Sequence, residues 1–327
     1  MAPTTRPAGK PLSIWQKIFR KTRLATLALA SVALAGLSVP TYADEPLFGY
    51  VYTTDLLPRG KWEIEQWFTD REGQAQGYFH HLDMSTEFEY GVTDNLQLAV
   101  YLNYMYADES GNSVRGLTEG IEIPFDHDPA QSYSQARFDG LSVEALYRVL
   151  SPYMDPVGLA FYVEPELGFY EYGIEFRTIV QKNFLDDQLV LSGNVWVELD
   201  REASSNLVVP GSDEIPDGSF SSATFAEVDL GVSYRFAPHW SVGLEFRNHN
   251  EYQGFSLSHG DQDHTAFFLG PNIHYAAEHW FFTLSVLRQL GAIAYTPDQQ
   301  AETNNGLLYG DEHTTWDGIR LKVGFPF

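Results

Sequence analysis

Thr314-Thr-Trp-Asp-Gly-Ile-Arg-Leu-Lys-Val-Gly-Phe-Pro-Phe327 closes the chain. From Ile319 it alternates without a break, with Ile319, Leu321, Val323, Phe325 and Phe327 on one face and Arg320, Lys322 and Gly324 on the other. A period of two with one apolar and one charged face is a β-strand between two unlike media. If the apolar face meets lipid, no sheet edge can stay open, because unpaired backbone N–H and C=O groups find no partner in hydrocarbon. The reading therefore predicts an all-β protein, a transmembrane antiparallel up-and-down β-barrel whose other strands close against this one.

Eleven earlier stretches carry the same period: Lys61–Asp70, Phe79–Gly91, Leu96–Tyr106, Phe138–Leu150, Leu159–Gly168, Gly173–Lys182, Leu189–Asp200, Thr224–Phe236, Trp240–His249, Thr265–Tyr275 and Trp280–Leu290. The clearest sets Leu96, Leu98, Val100, Leu102, Tyr104 and Tyr106 against Gln97, Ala99, Tyr101 and Asn103. Pro165 weakens its stretch, since proline cannot donate to a ladder. About twelve strands are expected. Their connections alternate between a few residues and roughly ten to thirty, the asymmetry of short periplasmic turns and long extracellular loops. Trp62, Tyr90, Tyr147, Trp240, Tyr275, Trp280 and Phe327 fall at strand ends, where an aromatic girdle would meet the periplasmic interface.

The amino terminus is of another kind. Arg6, Lys10, Lys17, Arg20, Lys21 and Arg23 precede an apolar run from Leu24 to Val39, and Pro40-Thr-Tyr-Ala43 follows. A basic region, a short apolar core and small residues at the cut predict a signal peptide over 1–43, cleaved before Asp44. The domain reading is then a periplasmic N-terminal segment over 44–60 and an outer-membrane barrel over 61–327. The signal segment holds six of the 20 Lys and Arg and none of the 44 Asp and Glu, so the remainder carries 14 − 44 = −30. Such a charge repels phosphates and excludes a nucleic-acid partner. No cysteine is present, so an exported chain must be stable without disulfides. A mean hydropathy of −0.24 does not separate a soluble β-protein from a barrel, because alternating strands hide their apolar face from averages.

Two segments carry a resemblance: Leu57-Pro-Arg-Gly-Lys-Trp-Glu-Ile-Glu-Gln-Trp67 and Glu87-Phe-Glu-Tyr-Gly-Val-Thr-Asp-Asn-Leu96. Together they resemble an uncharacterised family of proteobacterial outer-membrane β-barrel, porin-like proteins, clearest over Asp55–Tyr106 and at the carboxy terminus. Phe325 and Phe327 resemble the assembly signal of Gram-negative outer-membrane barrels. The resemblance implies a Gram-negative outer-membrane location, with lipid, lipopolysaccharide and the barrel-assembly machinery as partners. It brings no activity, and the oligomeric state stays open.

Twelve strands enclose a lumen between the filled eight-strand barrels and the wide sixteen-strand porins, narrow or partly obstructed. The alternation turns thirteen carboxylates inward: Glu63, Glu65, Glu87, Glu89, Glu144, Glu164, Glu166, Glu175, Glu198, Asp200, Glu227, Asp229 and Glu245. Six cations answer them: Arg148, Arg177, Arg235, Arg247, Arg320 and Lys322. Acidic linings select cations, so the expectation is a passive channel for small cationic or neutral polar solutes. The alternative is a structural barrel whose Glu–Arg pairs plug the inner wall.

His80, His81, His127, His249, His259, His264 and His313 fall on or near the expected outer side. They are interleaved with Asp83, Asp126, Asp128, Asp261, Asp263, Asp311 and Glu312. Imidazole with carboxylate suits zinc, copper or nickel, and His259, Asp261, Asp263 and His264 form the sharpest local candidate for a metal-capturing loop. No cofactor is otherwise expected, apart from a divalent cation, calcium included, at the extracellular loops. Rim acid–base pairs such as Asp83 with His81 or Asp263 with His264, and Ser256 and Ser258 near His259, are cheap coincidences in such loops. No Gly-x-Ser-x-Gly elbow accompanies them, so an enzyme is not expected.

Overall fold

Every alternating stretch folds into a strand of one closed barrel. The computed structural model describes residues 46–112, 118, 131–168, 171–203, 220–311 and 313–327. The expected signal peptide and the loop residues Asp126, His127, Asp128 and Glu312 lie outside the described residues. The barrel strands are β1 (Trp62–Glu72), β2 (Tyr78–Thr93), β3 (Leu96–Ser110), β4 (Tyr133–Leu150), β5 (Gly158–Gly168), β6 (Glu171–Phe184), β7 (Leu189–Ala203), β8 (Phe220–Ala237), β9 (Trp240–Gln253), β10 (Gln262–Ala276), β11 (Phe281–Ala294) and β12 (Trp316–Pro326). Each pairs antiparallel with its neighbours in the chain, and β12 closes on β1. Closure reaches the last residue: Trp62 N donates to Phe327 O at 3.1 Å and Phe327 N to Trp62 O at 2.9 Å. Among the described residues no helix is long and apolar enough to cross a membrane.

The two faces differ as the pleat demands. Outward Val100, Val195 and Leu230 are exposed, while inward Tyr101, Asn194 and Asp229 are buried. Pro165 stays within β5, opposite Ile174 of β6, on the outward face. At the end of the short turns, Trp62 packs on Tyr90 with ring centroids 4.3 Å apart, and Trp240 packs on Tyr275 at 4.7 Å.

Most strands run two to five residues beyond their alternating core on the long-loop side. The ladder continues there after the apolar face has ended, because inter-strand hydrogen bonds need no lipid contact. His264, read from sequence as the end of a loop, consequently sits in strand β10, while His80, His81 and His249 lie in β2 and β9 as their alternation placed them. The loop between β11 and β12 carries helix α1 (Pro297–Ala301) and a two-residue hairpin, Thr303–Asn304 with Leu307–Leu308. It folds back onto the barrel: Gln289 of β11 grips the backbone of Leu308 and Thr314, and both residues are fully buried.

One boundary expectation is overturned. Residues 46–57 do not lie outside the barrel but cross its lumen, and Pro58, Arg59 and Gly60 are exposed at the rim before β1. Their backbone bonds side chains of β9, β7, β6 and β3 in turn, each in the short-turn half of its strand. The physical reason is the polarity of the wall. An extended segment has a free donor at nearly every residue, and the wet face of a barrel supplies acceptors for them.

Candidate functional site

The lumen and the segment crossing it form the site. Glu245 of β9 accepts the amides of Gly49 at 2.9 Å, Tyr50 at 2.8 Å and Val51 at 3.3 Å. Asn194 of β7 accepts from Tyr52 N at 2.7 Å and donates back to Tyr52 O at 3.0 Å, as a strand partner would. Gln181 accepts from Thr54 N at 2.6 Å, and Gln97 from Leu57 N at 2.8 Å. The wall is also shaped for the segment's side chains. A Cβ on Gly231 would lie 2.8 Å from the ring of the fully buried Phe48, and one on Gly91 would strike the backbone carbonyl of Pro58. Leu56 joins Leu146, Ala160, Tyr162 and Ile179 of the wall in a small apolar core, and Tyr50 joins Ala266, Phe268 and Leu287 in another.

All nineteen side chains of the inward set are buried or half-buried, and none is exposed. The cations, however, answer the crossing segment and the aromatic wall as much as the carboxylates. Arg177 pairs with Glu175 at 2.7 Å and lies 4.5 Å from the ring of Tyr52. Arg247 bonds Glu227 and lies 4.6 Å from the ring of Tyr50. Arg320 stands 3.8 Å over the same ring and donates to Gly49 O at 3.2 Å, while Lys322 sits 3.5 Å over Trp67. Such cation–π contacts hold a cation without neutralising it by a carboxylate. Arg148 donates to Thr54 O and Asp94 O near the short-turn rim, and Arg235 lines the vestibule there. Among the described residues of the inward set, Arg177 and Arg247 make Glu–Arg pairs on the wall, and the segment obstructs the lumen beside them.

Free space lies on both sides of that obstruction. A cavity of about 350 Å³ opens at the short-turn end, between Leu47, Asp55, Arg235 and His274. A chamber of about 210 Å³ lies among Tyr50, Tyr52, Trp67, Glu164, Arg177 and Arg247. A third, of about 590 Å³, opens at the long-loop end and shares Tyr50, Arg247 and Arg320 with the chamber. Asp55 accepts from Tyr153 at 2.8 Å and from Gln181 at 3.1 Å, tying the segment to the short-turn rim.

The local metal candidate is not assembled. His259 Nδ1 pairs with Gln262 at 3.1 Å and its ring meets Tyr295, Asp261 accepts from Ser256 at 2.6 Å, and Asp263 accepts from Gln253 at 2.8 Å. His264 points the other way, into the barrel, and is fully buried. The cause is the pleat: His264 is in phase with Ala266 and Phe268 on the inward face of β10, so its loop neighbours turn to solvent. Its partners there are His249 and His313. Of the rim pairs, His81 and Asp83 do meet, at 3.1 Å, where Asp83 also binds Arg71. Ser258 caps the short turn at His259–Asp261.

The neutral residues that hold the segment, Gln97, Gln181 and Asn194, lie on the polar strand faces that alternation reads, but carry no charge to mark them as lining residues. Their signal is a carboxamide at an inward position of an alternating strand. His249 was legible by carrying the phase of Glu245 and Arg247 one step further.

A family described as "Family of unknown function (DUF6662)" matches residues 40–327. No curated protein matches the chain. Among solved structures, an outer-membrane channel of Pseudomonas putida F1 is similar at 10% identity and TM-score 0.50, covering 89% of this chain and 99% of that one. The translocator domain of the autotransporter NalP of Neisseria meningitidis is similar at 11% identity and TM-score 0.46, with 95% and 96% covered. At such identity the likeness is one of fold, a closed antiparallel barrel of the outer-membrane type.

Proposed function

The chain belongs to DUF6662, a family of unknown function, and from that premise we propose an outer-membrane channel whose conductance is set by its own lumen-crossing segment. In this reading the protein is exported through a cleaved signal peptide to the outer membrane of a Gram-negative bacterium. The short turns face the periplasm, and lipid, lipopolysaccharide and the assembly machinery are its partners. Its solutes are small cations or neutral polar molecules, and it is no enzyme.

The observation that supports this is the placement of cavities on both sides of residues 46–57. A barrel serving only as a scaffold has no need of aqueous vestibules at both ends. The segment's hydrogen bonds to neutral polar side chains can be exchanged for bonds to water at modest cost. The excess of inward carboxylates supports cations over anions. The opposing reading is a non-conducting structural barrel, favoured by the same segment if it never leaves.

Planar-bilayer recordings of the mature chain and of a variant lacking residues 46–56 decide between them. We expect small or rare openings from the full chain and a several-fold larger, steady conductance from the deletion. A correctly folded deletion variant that stays silent would establish the structural barrel instead. Removing carboxylates from the wall, as Glu164→Gln with Glu166→Gln, is expected to lower the cation-to-anion permeability ratio in a salt gradient.

A further inference from the structure

Three imidazoles meet at the long-loop end of the lumen: His249 of β9, His264 of the neighbouring β10 and, much further along the chain, His313 of the loop before β12. One ring nitrogen of each lies within 4.8 Å of the others. Ring centroids are 5.7 Å apart for His249 and His264, 5.3 Å for His249 and His313, and 5.1 Å for His264 and His313. His264 and His313 are buried, and Phe225, Phe268 and Trp196 pack against the group.

Each imidazole has a carboxylate at its outer nitrogen. His249 Nδ1 is 2.8 Å from Glu227 Oε1, and His313 Nδ1 is 3.2 Å from Asp317 Oδ2. His264 Nδ1 is 3.2 Å from Asp311 Oδ2, somewhat off the line of an ideal N–H donor. Asp311 is itself held by Gln299 Nε2 at 2.6 Å. Ionised carboxylates accept, so each Nδ1 carries the proton and each Nε2 presents its lone pair. His264 Nε2 and His313 Nε2 then face each other at 3.1 Å. Two lone pairs at that separation repel unless a cation lies between them or one ring takes a second proton.

We propose that His249, His264 and His313 bind a divalent late first-row metal ion, zinc(II) foremost, through Nε2, with the fourth position open to the outer cavity. The separation fits. Ligands of a tetrahedral zinc with Zn–N bonds of about 2.0–2.1 Å stand roughly 3.3–3.4 Å apart, close to the 3.1 Å between His264 Nε2 and His313 Nε2, and His249 offers a ring nitrogen within 4.8 Å of the others. A carboxylate behind each imidazole is the usual orienting arrangement of histidine–metal centres. Imidazole donors select zinc, copper or nickel, whereas calcium requires an oxygen shell. His249 and His313 border the 590 Å³ cavity, whose lining carries six carboxylates against three guanidinium groups, a field that concentrates cations. The ion would tie the β11–β12 loop to the wall. The site shares only His264 with the loop candidate read from sequence, and it stands whether or not the barrel conducts.

The test uses the folded barrel in detergent, stripped with a chelator and titrated with ZnCl2 by calorimetry and with CoCl2 by visible absorption. One zinc per chain is expected, with cobalt bands of four-coordinate intensity. His313→Gln, in a loop where the barrel can still close, should weaken binding by at least about 100-fold, and Asp317→Asn by roughly 10–100-fold. His259→Gln should leave affinity unchanged. Folding of each variant is read from its heat-modifiable gel mobility. Absence of stoichiometric zinc in the folded wild type, or a His313→Gln affinity within threefold of wild type, would overturn the proposal and leave a cluster held by a shared proton.

Discussion

Glu245 shows how much one side chain can organise. It is wholly buried, and its two oxygens take amides from Gly49, Tyr50 and Val51, with Asn272 and Ser285 completing its bonds. A hydrogen bond to a charged group contributes about 1.5–3 kcal/mol, which is roughly a 10- to 150-fold protection of an amide against opening. Glu245→Ala is therefore expected to speed hydrogen exchange at residues 49–51 by about that factor. Exchange measured by mass spectrometry on peptides spanning 46–60 checks this, and unchanged protection would show that the segment is held by its apolar contacts. Gly231 is the complementary case. Any side chain there strikes Phe48, so Gly231→Leu should dislodge the segment and raise conductance without touching a charge.

At the scale of the strand, the two faces obey different rules, and that difference can be measured on adjacent residues. Val195 of β7 is 58% exposed on the outer face, whereas Asn194 beside it is buried against the segment. An arginine at the lipid-facing midpoint of a barrel strand costs about 2–4 kcal/mol. Val195→Arg should lose stability of that order in urea unfolding from lipid vesicles. Asn194→Ala should instead leave the barrel's stability nearly intact and release the segment at Tyr52. Equal losses for both would contradict the assignment of faces. The strands were legible in their alternating cores because period two with an apolar face is a local property of the sequence. Their extensions were not, since beyond the apolar band both faces are polar and only pairing with a neighbour keeps the chain extended.

At the scale of the whole molecule, the proposed channel's preference for cations rests on the balance of charge along its lumen. Thirteen inward carboxylates against six cations leave the lumen acidic even after Arg177 and Arg247 pair with Glu175 and Glu227. In a tenfold KCl gradient the deletion variant lacking 46–56 is expected to give a reversal potential of the sign for cation flow. An anion-directed sign would show that the guanidinium groups near Tyr50, freed from their aromatic cover, control the path.

The sequence by itself determined the barrel, its closing strand, the strand count and the inward set, because each follows from alternation along a single strand. Tertiary structure alone decided what fills the lumen and where the histidines meet. Residues 46–57 carry no period and no charge run, and their place depends on acceptors contributed by β3, β6, β7 and β9 together. His249, His264 and His313 come from two strands and a loop separated by as many as 64 residues in the chain. Pairing of β9 with β10 sets His249 beside His264, and the inward fold of the β11–β12 loop adds His313, a meeting that no pattern along one strand encodes.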